Sequence, residues 1–157
     1  MKKILLLLTV LLLFLPSCKK ETTLTPETAA ERVLAEWAIP FVRADEDFVR
    51  TNFADLDGVK DAAVYLSEEN DGTEFGFFAL SDKSRLNEAQ ANIREYIASE
   101  RQQVLSLAAL YPGEELNARL SRYDSATVGT TGDLVYYFIA ERDVAQRLLK
   151  GLKRAEP

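Results

Sequence analysis

The chain has no histidine and only one cysteine, Cys18. Histidine is the commonest general base and, with cysteine, builds the usual zinc sites. Ser-His-Asp and Cys-His machinery and haem held by histidine are therefore excluded. So are iron–sulfur clusters and internal disulfides, which need more than one thiol. An enzyme on this chain would work with carboxylates, Lys, Tyr or Ser alone. The fold must be held by its core, because no disulfide supports it. Long apolar runs are scarce too. The one that exists, residues 4–15, has 12 residues, whereas a helix that crosses the hydrocarbon core needs about 20.

That run follows Lys2 and Lys3 and ends in Leu15-Pro16-Ser17-Cys18. A basic start and an apolar core of about 7–15 residues make a secretory signal. Leu at −3, a small residue at −1 and Cys at +1 is the pattern that lipoprotein-processing enzymes read. Ordinary cleavage nearby and an uncleaved anchor are the alternatives. The only cysteine, placed directly after the run, favours lipidation. Cys18 is thus expected to carry a diacylglyceryl group, with palmitate as acyl chain, and to begin the mature protein. Two acyl chains hold a protein stably where one does so marginally, at about 0.8 kcal/mol per buried CH₂.

Residues 1–17 read as the signal peptide, 18–25 as a lipidated tether and 26–157 as one α+β domain. Without residues 1–17, which take Lys2 and Lys3, 17 cations stand against 25 acids, a formal net charge of −8. Such a surface repels nucleic acid and anionic head groups, and the acidity reads as a device for solubility. The polar tether after Cys18 spans ~25 Å at most, so the domain is expected to ride close to the membrane. The expected address is the bacterial cell membrane, reached by export. In a cell with two membranes, Lys19 after the cysteine points to the outer membrane or the surface.

Thr25-Pro26-Glu27 is a helix start: a capping hydroxyl, Pro at the first position and an acid in the first turn. Ala30, Val33, Leu34 and Trp37 follow on one face, and Pro40 is expected to end the helix. Residues 45–52 predict a short second helix. Residues 61–67 and 74–80 read as a hairpin around Asn70-Asp71-Gly72. Leu86, Ala89, Ile93, Ile97, Val104, Leu107 and Tyr111 predict a long helix that Ser81 or Asp82 can cap and Pro112 closes. Residues 113–120 suggest a shorter helix. Residues 123–129 and 134–140 predict a second hairpin, and residues 142–153 a last helix. The expectation is an antiparallel four-stranded sheet from two hairpins (strand–strand–helix twice), with the long and C-terminal helices packed on it and an N-terminal helix in front.

Glu74-Phe75-Gly76-Phe77-Phe78, the long helix with Arg101, the Tyr111-Pro112-Gly113-Glu114 corner and the closing hairpin with its helix resemble a domain-of-unknown-function family of small bacterial lipoproteins, best known from Gram-positive gut bacteria. The resemblance covers roughly residues 59–152. It implies a location and a fold, and no activity.

No catalytic set, metal site or cofactor is expected. The acids Glu68, Glu69 and Asp71, and likewise Asp55, Asp57 and Asp61, lack the ligand spacing of an EF-hand and read as solvated turns. Among 25 acids, some pair always lies at a distance suited to glycoside hydrolysis, so that signal is unspecific. Arg94 and Arg101 read as a solvated helix face paired with Glu at i±4. The strands at residues 75–80 and 134–139 are apolar on both faces, although a half-exposed strand should alternate. Either the N-terminal helix with Val33, Trp37 and Phe41 covers the second face, or Phe75, Phe77, Phe78, Tyr136, Tyr137 and Phe138 form an exposed aromatic binding surface. The functional expectation is a membrane-anchored, non-catalytic envelope accessory or interaction module with an envelope protein as partner and no nucleic acid. Capture of a small ligand or glycan is the alternative, and a carboxylate-dependent hydrolase is a weaker one.

Overall fold

The computed structural model describes residues 24–54 and 56–154; the expected signal peptide, Cys18, the expected tether up to residue 23, Asp55 and residues 155–157 lie outside them. Helix α1 (Pro26–Glu36) begins where the sequence predicts. The Thr25 hydroxyl accepts from the Thr28 amide at 3.2 Å, and the Thr28 hydroxyl from the Thr25 amide at 2.9 Å. Two amides that the first turn leaves unpaired are thereby satisfied. Strand β1 (Phe41–Arg43) follows, then α2 (Glu46–Asn52), whose start the Asp45 carboxylate caps through the Phe48 amide. The hairpin β2 (Val59–Ser67) and β3 (Glu74–Leu80) turns through Asn70 and Gly72, both at positive φ, the region these two residues tolerate best. Asp82 caps a 3₁₀ turn (Lys83–Arg85) that leads into the long helix α3 (Leu86–Leu110). Helix α4 (Glu114–Asp124), the hairpin β4 (Thr127–Thr131) and β5 (Leu134–Ile139), and α5 (Arg142–Arg154) complete the described residues.

Among the described residues the architecture is α+β: five helices on one antiparallel sheet of five strands, in the order β1-β2-β3-β5-β4. The two predicted hairpins sit side by side, with β3 paired to β5 through Phe75–Phe138, Gly76–Tyr137, Phe77–Tyr136 and Phe78–Val135. The expected four strands become five because β1 adds to β2, Phe41 opposite Ser67 and Arg43 opposite Tyr65. Three residues are too few to show an alternation of apolar and polar side chains, so no pattern announces this strand. Helix α1 also stops earlier than Pro40 suggests, at Trp37, which is extended and turns its ring onto the sheet. The predicted strand at residues 123–129 is displaced: Tyr123 belongs to α4, and β4 starts at Thr127.

Both sheet faces are covered. On one, α1 and α5 pack over Tyr65, Phe75, Phe77, Tyr136 and Phe138. On the other, α2, α3 and α4 cover Val64, Phe78, Val135, Tyr137 and Ile139. A central strand buried on both sides needs no alternation, which explains the continuous apolar reading of β3 and β5.

Candidate functional site

The six aromatic residues expected to form an exposed surface do not form one. Phe75, Phe77, Phe78, Tyr137 and Phe138 are each 0% exposed and Tyr136 is 6% exposed. Phe75, Phe77, Tyr136 and Phe138 enter one core and Phe78 and Tyr137 the other, since successive side chains of a strand point to opposite faces. Phe75 alone touches the rings of Trp37, Phe41, Tyr65, Phe77 and Phe138 at centroid distances of 5.2–6.1 Å. The alternative reading, with Val33, Trp37 and Phe41 as cover, holds for the first face, and α5 shares that task. Arg94 is exposed and Arg101 half-exposed, as expected of a solvated helix face, but their partners differ from expectation. Arg94 bonds Gln90, and Arg101 reaches Asp124 of α4 at 2.6 Å, so it ties two helices together instead of pairing along its own.

The structure draws attention to a residue that sequence reasoning passed over. Glu74 opens β3 and shares its face with Gly76, Phe78 and Leu80, beneath α3. It is 6% exposed. Tyr96 of α3 donates to both of its carboxyl oxygens, at 3.1 and 3.0 Å, and Tyr137 of β5 donates to Oε1. Gly76 makes the second contact possible. Tyr137 lies opposite it, and a Cβ at residue 76 would stand 2.5 Å from the ring. Burial pushes the Glu74 carboxyl up to about 7, helped by Glu100, while the bonds from Tyr137 and Tyr96 and the charge of Arg119 hold it back. Burial, with Glu74 nearby, also raises the hydroxyls of Tyr96, Tyr137 and Tyr123 above the ordinary tyrosine value.

Outside this carboxyl lies a recess of about 160 Å³, lined by the β2–β3 turn, α3 and α4. Glu74, Tyr96, Glu100, Arg119 and Tyr123 bring its polar chemistry. The walls are fixed by two contacts. Arg122 pairs with Asp71 at 3.2 Å and donates to its carbonyl at 3.0 Å, latching α4 to the turn. The stem of Arg119 lies against Gly72, where any Cβ would meet it at 2.7 Å. Asp71 accepts from the Thr73 amide and hydroxyl, each at 2.9 Å. Burial disfavours its charge, but the Thr73 bonds and Arg122 outweigh this and hold the carboxyl below its ordinary range. Asp71 is thus part of a turn scaffold.

A second feature is the outer end of the α3–α4 hairpin. The last residue of α3 buried in the core is Val104. Beyond it Leu107, Leu110 and Tyr111 are 46%, 72% and 70% exposed. They recur at i, i+3 and i+4, so they share one helix face. No charged residue occurs from 102 to 113, and the next ones are acids, Glu114 and Glu115. In a chain with 28% charged residues, an exposed helix end without charge stands apart from an ordinary solvated face.

Neither feature is legible as a short motif. Glu74, Tyr96, Tyr123 and Tyr137 come from four elements, and only the fold unites them. The signal available was an acid in phase with Gly76 and Phe78 on a strand otherwise apolar on both faces. Among the described residues, no helix is long and apolar enough to cross a membrane. In comparisons with protein-family models, curated proteins and solved structures, nothing matches this chain.

Proposed function

We propose that this is a lipid-anchored envelope protein that acts by binding a protein partner and not by catalysis. Residues 1–17 direct export, Cys18 carries the lipid, residues 18–25 tether and residues 26–157 form the binding domain. The likeness to small bacterial lipoproteins belongs to the same reading. The basic start, short apolar core and Leu15-Pro16-Ser17-Cys18 sequence support the anchor. The observation that carries the binding role is the uncharged tip of the α3–α4 hairpin, with Leu107, Leu110 and Tyr111 in solvent. Leu and Tyr at the end of a rigid hairpin suit an apolar groove on a partner, because Tyr brings large contact area at little entropic cost.

Charge favours a protein over the bilayer as occupant. Arg101 and Arg119 bracket a stretch without any Lys or Arg, and the tip is flanked by Glu114 and Glu115. An anionic lipid surface repels such a rim, whereas a groove with a basic border complements it. The test compares native membranes from wild-type cells, Cys18→Ala cells and cells with Leu107→Ser, Leu110→Ser and Tyr111→Ser together. The proposal expects a lipid mass on the Cys18 peptide and a discrete complex on native gels that the triple variant loses. A complex that survives the triple variant, or a Cys18 peptide without lipid, contradicts it.

A further inference from the structure

The recess beside Glu74 is not used by the partner-binding reading, and its chemistry is specific enough to argue separately. Its volume of about 160 Å³ is far below the ~300–1,000 Å³ of sites for drug-sized ligands. It has room for several waters or for one molecule of a few heavy atoms. Its lining is split in sign. Glu74 and Glu100 come from β3 and α3. Arg119 comes from α4, and its side chain bonds the Tyr123 hydroxyl. The Arg119 Nε is buried and has no hydrogen-bond partner among the described residues. That atom lies against Gly72 and has no accessible surface, so Arg119 offers the recess only the rest of its guanidinium.

An anion alone would satisfy Arg119 but would face Glu74 and Glu100. A cation alone would satisfy the two carboxyls but would face Arg119. A molecule that carries both charges meets both sides. The rings of Tyr96 and Tyr123 line the same space and suit an ammonium group. We propose that the recess is a binding site for a small zwitterion, an α-amino acid with few carbons, its carboxylate on Arg119 and its ammonium between Glu74 and Glu100. Because Glu74 is protonated below about pH 7, seating the ammonium ionises it and releases one proton to solvent.

The test titrates the purified protein with glycine, L-alanine, ethylammonium and acetate, reading the ring NMR signals of Tyr96 and Tyr123 and the heat at pH 6 in two buffers of different ionisation enthalpy. Glycine or L-alanine is expected to give saturable shifts. Ethylammonium and acetate should bind at least about tenfold more weakly, a difference of about 1.4 kcal/mol. Glu74→Gln and Arg119→Gln should each weaken the amino acid by at least about tenfold, and Glu74→Gln should abolish the proton release. Should Arg119→Gln fail to fold, the half-exposed Glu100→Gln provides the same test. The proposal is overturned if neither amino acid saturates, if ethylammonium or acetate binds as well, or if the variants bind like wild type.

Discussion

Glu74 makes the stability of the domain depend on pH in a direction opposite to most carboxylates. Its carboxyl titrates at about 7 in the folded chain against an ordinary value of 4.5, because burial disfavours the charge more than Tyr137 and Tyr96 favour it. Below pH 4.5 it is protonated in both states and costs nothing. As pH rises, the unfolded chain releases the proton first, and the folded chain retains it until about pH 7. Stability is therefore fully present below 4.5, falls through the interval and levels off above 7. The difference of about 2.5 pH units, at about 1.36 kcal/mol per unit, gives a loss of about 3 kcal/mol. Glu74→Gln keeps the shape and neutral character of the protonated acid and cannot titrate. Urea unfolding between pH 5 and 8 is expected to show wild type losing ~2–3 kcal/mol relative to this variant. Asp71, held below its ordinary range, changes stability only at lower pH and does so in both proteins. Curves that stay parallel within about 0.5 kcal/mol would refute the reasoning, since Glu74 would then be charged and solvated in the fold.

Further outcomes follow from the two cores and the tip. Phe75→Ala, which empties a site enclosed by five aromatic rings, should cost ~3–5 kcal/mol in urea unfolding. Gly76→Ala places a Cβ 2.5 Å from the Tyr137 ring. It should cost ~1–3 kcal/mol and shift the NMR signals of both Tyr137 and Tyr96. By contrast, Leu110→Ser at 72% exposure should leave the unfolding midpoint within ~0.5 kcal/mol of wild type.

Where local chemistry sets structure, the sequence was readable. Thr25-Pro26, Asp45 and Asp82 mark helix starts because their side chains satisfy amides in the first turn. The periodicity of Ala89, Ile93, Ile97 and Val104 reports the face of α3 that meets the sheet. The apolar strands β3 and β5 announced that both faces needed cover, but not which helices supply it, because that choice is a long-range one. The exposed aromatic surface was the wrong alternative for this reason: α5 and the three helices on the opposite face add cover that α1 alone could not. β1 escaped notice because it is held by its pairing with Tyr65 and Ser67, not by its own pattern. Glu74 is the first residue of the strand predicted at 74–80, and nothing local marks it as buried. Its burial comes from Tyr96 and Tyr137, 22 and 63 residues away.

The proposed role has the hairpin tip engaging a protein while Cys18 holds the domain at the membrane. It is tested most directly by placing a photo-crosslinking amino acid at position 110 or, as a control, at the exposed Lys60, in cells with native Cys18. One dominant protein adduct is expected from position 110 and none from position 60. Adducts of equal yield from both positions, or lipid as the only product at position 110, would contradict it.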